Sequence, residues 1–153
     1  MTLPPFQSFL DEHADAVYRF LVATAGPSDA DDCFQETFLA ALRAYPRLRP
    51  DSNPRAWVMT IAHRKGLDAH RRRARGAVPV AEIPDVAFSH PDGTGEVWRH
   101  VAALPPKQRA AVAHRYVADL AYGQIAEIIG CSEDAARQNV SEGLRRLREA
   151  VEE

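Results

Sequence analysis

Cysteine is scarce in this chain, and its scarcity narrows the chemistry available to the protein. Only Cys33 and Cys131 occur among 153 residues. They are far apart, both lie in apolar helical patterns, and neither has a histidine or cysteine at metal-ligand spacing. We therefore expect both to be core residues, and we predict no disulfide, no metal site and no cofactor.

Long apolar runs are also missing. No stretch approaches the length needed to cross a bilayer, so the sequence predicts no membrane insertion. The first residues, MTLPP, lack the basic and then apolar segments of a signal peptide. The predicted location is the cytoplasm.

Catalytic constellations are absent as well. The six histidines are dispersed, no nucleophile and base are forced together by spacing, and no glycine-rich phosphate loop is present. An enzyme is therefore not predicted. The net charge of −2 does not indicate a nucleic-acid binder either. Local segregation of charge is nevertheless what a polyanion senses within a Debye length.

The 46% hydrophobic and 26% charged residues predict a globular chain, and helical spacing of the apolar positions predicts an all-α fold. Helices are expected from about Pro5 to Ala25, from a cap at Ser28, and from Pro54 behind Asn53. Glycine and proline concentrate between Gly76 and Gly95. We predict two small helical domains, residues 1–75 and 96–153, joined by a flexible linker, residues 76–95. Whether the free domains are docked or separate stays open.

The last third predicts a helix-turn-helix. Residues 121–137 read AYGQIAEIIGCSEDAAR, with Gly130 at a sharp reversal and Ser132 as the cap of the next helix. Apolar positions continue at helical spacing to Leu147. Such a motif presents one helix to the major groove of DNA, although an ordinary helical bundle has the same local pattern.

A basic tract, residues 64–75, ends the third helix and is the strongest charge concentration in the chain. A solvated helix end is the ordinary interpretation of such a run. The preceding aromatic residues Tyr45 and Trp57 and the loop residues Arg47 and Arg49 favour a second one. Arginines holding phosphates beside rings that stack unpaired bases would suit partly unwound DNA.

Three motifs in order resemble the extracytoplasmic-function (ECF) sigma factors of the sigma-70 family. Residues 29–42 (DADDCFQETFLAAL) resemble the core-binding helix, and residues 53–73 (NPRAWVMTIAHRKGLDAHRRR) resemble the helix that melts and reads the −10 element. The segment from LPPKQR at residue 104 through Arg148 resembles region four, which reads the −35 element. The resemblance covers nearly the whole chain except the linker.

The resemblance implies an RNA polymerase sigma factor that directs promoter-specific initiation, with core RNA polymerase (β′ coiled coil and β flap) and promoter DNA as partners. It implies that the linker follows the path later used by RNA. An anti-sigma factor often holds such proteins inactive, but no residue here identifies one. By position, the implied sites are as follows: core-polymerase binding, Asp32, Gln35, Glu36, Phe38 and Leu39; the −10 element, Arg55, Trp57, Thr60, His63, Arg64, Arg71, Arg72 and Arg73; the −35 element, Ser132, Arg137, Gln138, Asn139, Ser141 and Arg145.

The recognition helix departs from the family pattern. The family usually has SEGTVKSRLSRAR, whereas residues 132–144 read SEDAARQNVSEGL. Asp134 and Glu142 place carboxylates where we expect phosphates, so DNA binding should weaken and sequence preference should be unusual. The main alternative is a sigma-like adaptor that binds polymerase or a regulator without promoter recognition. A small one-component regulator using only the helix-turn-helix would leave the first half without a role.

Overall fold

The computed structural model describes residues 3–76 and 95–152, and within these ranges the chain is helical without a strand. The first half contains α1 (Phe6–Ala25), α2 (Pro27–Ala44), a 3₁₀ turn (Tyr45–Arg47) and α3 (Pro54–Gly76). The second half contains α4 (Gly95–Ala102), α5 (Pro106–Tyr116), α6 (Tyr122–Ile129) and α7 (Glu133–Glu152). The all-α prediction is confirmed. The predicted linker lies outside the described residues except at its two ends.

The first half is a three-helix unit in which every helix contacts the other two. Its interior is aromatic: the Phe9 ring lies 5.1 Å from Tyr45 and 5.7 Å from Trp57, centroid to centroid. Asn53 begins α3 as expected, because its Oδ1 accepts the Ala56 N–H at 3.1 Å.

Some local predictions for this half were wrong. Ser28 does not cap α2, since the helix begins one residue earlier at Pro27, whose fixed φ suits a first helical position. Gly26 makes that abrupt junction possible with φ at +91°. The apolar spacing along the third helix also predicts that Leu67 faces inward, but 40% of its surface is exposed.

The second half packs α5 and α6 against α7. Gly130 takes the left-handed conformation at φ +85°, and the Ser132 hydroxyl accepts the Ala135 N–H, so the predicted helix-turn-helix is present as expected. The sequence predicts a helix from Pro105 to about Leu120, whereas α5 ends at Tyr116. Val97, on the first helix of this half, is 45% exposed.

Close backbone approach holds α5 to α7. Gly143 is buried, and a Cβ atom there would lie only 2.7 Å from Val112 Cγ2. The absence of a side chain therefore sets the distance between the two helices. No pattern in the sequence predicted this role of Gly143.

The two halves are docked. α5 packs on α1, α4 contacts α1, and α6 contacts α3. Buried residues of both halves form one continuous cluster at this contact, which we call the interdomain interface. The question that the sequence left open is thus answered by a closed arrangement.

Candidate functional site

One face of α2 presents the predicted core-binding residues to solvent. Asp32, Gln35 and Leu39 are exposed and lie three and four positions apart, which places them on one side of the helix. Leu42 continues the same stripe, and both leucines have 53% of their surface exposed. Leu42 was not among the predicted core-binding residues, so its place in this stripe was not predicted from the sequence.

A groove of about 460 Å³ runs beside this stripe, between α1 and α2. We call it the α2 groove. Its lining is almost entirely apolar, and Phe38, only 6% exposed, contributes to it from the core. The other lining residues are Phe6, Gln7, Leu10, Phe34, Gln35, Leu39 and Leu42.

Glu36 lies apart from this stripe, toward α3. Its carboxylate lies 3.7 Å from the Arg72 guanidinium. Arg73 makes a closer pair with Asp29, at 2.8 Å, and also donates a hydrogen bond to the Ser28 hydroxyl. Two arginines of the basic tract therefore tie α3 to the acidic start of α2.

The predicted −10 residues divide by exposure. Arg64 and Arg71 to Arg73 are exposed, whereas Arg55, Trp57, Thr60 and His63 are half-buried. The Thr60 hydroxyl donates to the Ala56 carbonyl at 2.8 Å, one turn earlier in the helix. The structure brings all of them together on α3, but not on a single open face.

The expectation that Tyr45 could stack an unpaired base was wrong. Its ring is 8% exposed, is stacked on Phe6 at 5.2 Å, and its hydroxyl donates to the Pro4 carbonyl. Trp57 contacts the same cluster, with its ring 6.4 Å from Tyr45. Packing of the first half uses the aromatic side chains that the sequence had assigned to DNA.

His63 lies at the interdomain interface. Its Nδ1 is 3.2 Å from Nε2 of His114, which is fully buried on α5. The His114 ring also stacks on Phe20 of α1, 4.3 Å between centroids. Among the described residues no group pairs with His114 Nδ1. A buried acceptor without a partner costs less than a buried N–H, so we assign the proton to Nε2, which donates to His63.

Burial lowers the pKa of both imidazoles, most strongly for His114. Positive charge adds to the effect: Arg64 lowers the pKa of His63, and His63 lowers that of His114. Arg109 reaches across from α5 to donate to the Thr24 carbonyl at 3.2 Å. Beside these groups lies a cavity of about 190 Å³, whose lining includes Leu67, His70 and Lys107. The contact is therefore formed by neutral rings with cations around them.

The predicted −35 residues lie at the cap of α7 and on its first four turns. Ser132, Arg137, Gln138, Ser141 and Arg145 are exposed, and Asn139 is half-buried. Gln138, Ser141 and Arg145 lie three and four positions apart and so share one face. This face has the polar donors that reading base edges requires.

The two carboxylates that depart from the family pattern behave differently. The Asp134 side chain is 98% exposed and lies 3.3 Å from Arg137. Glu142 is half-buried and accepts a hydrogen bond from Gln108 of α5 at 3.2 Å. The expectation that both would face phosphates was therefore wrong for Glu142, because it packs toward α5.

Metal-binding clusters and membrane-spanning helices are both absent from the described ranges, 3–76 and 95–152. No group of three or more His, Cys, Asp or Glu side chains could hold a metal ion there. No helix in that part of the chain is both long and apolar enough to cross a membrane. Both cysteines are free, and Cys33 is buried.

Comparison with known proteins identifies the family. Residues 9–76 match the family model of Sigma-70 region 2, and residues 94–147 match that of Sigma-70 region 4. CarQ of Myxococcus xanthus, an RNA polymerase sigma factor, is 30% identical over 97% of this chain and 90% of its own length. The ECF sigma factor SigC of Mycobacterium tuberculosis is 30% identical over 88% of this chain and 77% of its own.

Solved structures share the fold. The sigma factor RpoE of Bartonella quintana, crystallised with the anti-sigma factor NepR, superposes with a TM-score of 0.80 over 96% of both chains, at 24% identity. CnrH, solved with the cytosolic domain of CnrY, gives a TM-score of 0.73 at 21% identity, over 96% of this chain and 87% of its own. The chain belongs to the sigma-70 family and is an RNA polymerase sigma factor of the ECF group.

Proposed function

We propose that this sigma factor binds core RNA polymerase through the α2 groove, contacts the opened −10 strand with α3, and reads the −35 element with α7. Polymerase performs the covalent chemistry, and the sigma factor supplies selection of the promoter. The proposed location is accordingly the cytoplasm. One observation carries the proposal: a stripe of exposed residues on α2 beside a groove that nothing in the described chain fills.

The α2 groove suits a helical partner. Exposed leucines scattered singly need no explanation, but Leu39 and Leu42 lie one turn apart at the edge of an apolar groove. Apolar side chains of an amphipathic helix could enter it, as in other helix-in-groove complexes. Asp32 and Gln35 lie N-terminal to the leucines and would meet polar groups at the rim. We propose the β′ coiled coil as this partner and the β flap as a partner of the second half.

The −10 interaction is proposed for the exposed arginines first. Arg64 and Arg71 are already exposed, so they can reach phosphates without any change in packing. His63 differs, because its Nδ1 is engaged by His114 in the docked arrangement. We therefore propose that the closed arrangement is the DNA-free form, and that the halves separate before His63 meets the −10 strand.

The −35 interaction is proposed for the exposed face of α7. Arg137 and Gln138 lie in its second turn, close to the helix start that enters the major groove in such motifs. Asp134 adds an exposed carboxylate one turn earlier, so affinity should be modest and the preferred sequence should depart from the family's.

Core binding is tested by introducing two aspartates at the leucines of the exposed α2 stripe. The variant Leu39→Asp with Leu42→Asp should lose copurification with core polymerase by at least about tenfold, because charges would be buried at an apolar contact. The matched control is Val151→Asp, which changes a similarly exposed residue, 59%, at the far end of α7. Binding of the double variant equal to wild type would contradict the proposal.

Promoter-selective transcription with the reconstituted enzyme then separates the remaining possibilities. Copurification with initiation at a defined sequence supports the whole proposal. Copurification without selective initiation would favour the adaptor. Removal of the DNA contacts by Arg64→Glu with Arg71→Glu should abolish initiation and leave core binding intact. A parallel loss of both activities would show that this part of the basic tract is structural.

A further inference from the structure

Three side chains from three helices form a stack at the surface of the helix-turn-helix, which we call the guanidinium stack. Tyr122, the first residue of α6, has the Arg115 guanidinium 4.5 Å from its ring centroid and that of Arg137 at 4.9 Å. Aromatic faces attract cations at such distances. Arg115 and Tyr122 belong to no site predicted from the sequence.

Hydrogen bonds and core packing hold two of the three members, Arg115 and Tyr122, in place. Arg115 donates from Nη1 to the Leu120 carbonyl at 3.0 Å, which holds it against its own loop. The start of α6 is fixed by the Gln124 side chain, whose Oε1 accepts the Ala121 N–H at 3.0 Å. The Tyr122 ring is half-buried against the core. Arg137 is the exposed member, with 51% of its side chain accessible.

The N–H groups of Arg137 contact two carboxylates and not the Tyr122 ring. Its Nη2 lies 3.3 Å from Glu133 and its Nη1 lies 3.3 Å from Asp134. Exposed pairs of this kind contribute little free energy and can be displaced by a stronger acceptor. The contact with Tyr122 is a cation–π contact that uses no hydrogen-bond donor, so the N–H groups of Arg137 stay available when the carboxylates are displaced.

We propose that Tyr122 is a positioning residue for base reading: it holds the plane of Arg137 so that its two terminal nitrogens meet a guanine edge in the −35 element. Arginine recognises guanine by paired hydrogen bonds to O6 and N7, and that geometry requires a fixed plane. Without the ring, Arg137 keeps its charge and can still contact phosphates, but the plane of its guanidinium is no longer fixed. This inference rests on the proposed reading of the −35 element by α7.

The test uses the full chain reconstituted with core RNA polymerase and a promoter library randomised in the −35 element. Transcript yield from each sequence gives the base preference at each position. Tyr122→Leu retains apolar bulk and removes the aromatic face. Tyr122→Phe retains the face and removes only the hydroxyl. The matched control is Tyr116→Leu, at a 58% exposed tyrosine next to Arg115 but outside the stack.

We expect Arg137→Ala to reduce the preference for guanine at one position by about tenfold, the value of one paired contact. Tyr122→Leu should reduce the preference at that same position by several fold and leave the others unchanged. Tyr122→Phe should restore it, and Tyr116→Leu should match wild type. The double variant should be no worse at that position than Arg137→Ala.

If the wild type prefers certain −35 sequences and Tyr122→Leu keeps that whole preference, the inference is overturned and the proposed function stays intact. A uniform loss of yield across all sequences would also overturn it, since it would show a structural role for Tyr122. A wild-type enzyme with no −35 preference would refute both. Far-UV circular dichroism of each variant, with Tyr122→Phe as reference, identifies a failure of folding.

Discussion

The two halves of the molecule build their interiors by different means. The first half buries large rings, among them Phe9, Phe20 and Tyr45. The second half buries aliphatic and small side chains, with Ala111, Ala113 and Ala136 fully buried, and brings its helices together at Gly143. Large rings stabilise by the area they remove from water, whereas small residues stabilise by allowing close contact of backbones. The halves should therefore fail under opposite substitutions: truncation in the first and enlargement in the second.

Truncation of Phe9 is the most severe test of the first half. Its ring contacts Phe6, His13, Phe38, Tyr45 and Trp57, so Phe9→Ala should leave a large gap and lower the free energy of unfolding by about 3–5 kcal/mol. Urea unfolding followed by circular dichroism measures the loss. Val140→Ala, at an equally buried site of the second half, should cost only about 2 kcal/mol. Equal losses would contradict the contrast between the halves.

Enlargement of Gly143 is the corresponding test of the second half. Gly143→Ala should cost about 1–3 kcal/mol, because the new Cβ would lie 2.7 Å from a stiff, buried valine. That cost exceeds the gain of up to about 1 kcal/mol from better helix propensity. The control is Gly123→Ala, where a Cβ meets only ordinary contact at 3.7 Å and should stabilise. Combining Gly143→Ala with Val112→Ala should recover part of the loss; a neutral Gly143→Ala would show that the helices can move apart.

How much of this the sequence could predict depends on the range of the interactions. The presence of the helices, the Gly130 turn and the Ser132 cap depend on neighbours in the chain and were predicted correctly, although the Ser28 cap and the end of α5 were not. The exposure of Leu42, the burial of Tyr45 and the Gln108–Glu142 contact depend on which helices meet, so they were not. The stripe from Asp32 through Leu42, at spacings of three and four, was the one signal that could have identified Leu42 as a surface residue.

The interdomain interface shows the same limit. No local pattern distinguished His114 of α5 from a surface histidine, because its burial is created by Phe20 of α1 and His63 of α3. The sequence predicted the parts of each half and left their docking open. Similarly, periodicity places Arg137 on an exposed face but cannot show that Tyr122 lies beneath it.

Acid should loosen the docked arrangement, where the two kinds of interior meet. Burial lowers the pKa of His114 and His63 below the ordinary 6.5, so the docked form binds fewer protons than the open one. Docking is therefore fully favoured above pH 6.5 and weakens as pH falls below it, by up to about 1.4 kcal/mol per unit for each ring. The cations nearby, Arg64, Lys107 and Arg109, add to the repulsion.

Small-angle X-ray scattering from pH 7.5 to 5.5 measures the opening as a rise in the radius of gyration. His114→Gln, which does not titrate in this range, should reduce the rise. The control is His13→Gln: His13 is also buried and its pKa is also lowered, but its ring packs on Phe9 within the first half. A rise that is unchanged in His114→Gln would show that other groups govern docking.

The smallest expected effect concerns surface ion pairs, which the two halves form in different ways. In the first half Arg72 and Arg73 of α3 pair with carboxylates of α2, whereas Arg137 of the second half pairs within its own helix, with Glu133 and Asp134. A pair within one exposed helix contributes only about 0.3–0.5 kcal/mol, so Asp134→Asn should barely change stability. The substitution removes a carboxylate from the proposed DNA-facing turn and should raise affinity for −35 duplex by about two- to fivefold at low salt.

Glu142→Gln, at the half-buried carboxylate that bonds Gln108, is the control and should leave affinity nearly unchanged. Equal gains in both variants would mean that net charge, rather than the position of Asp134, sets the binding.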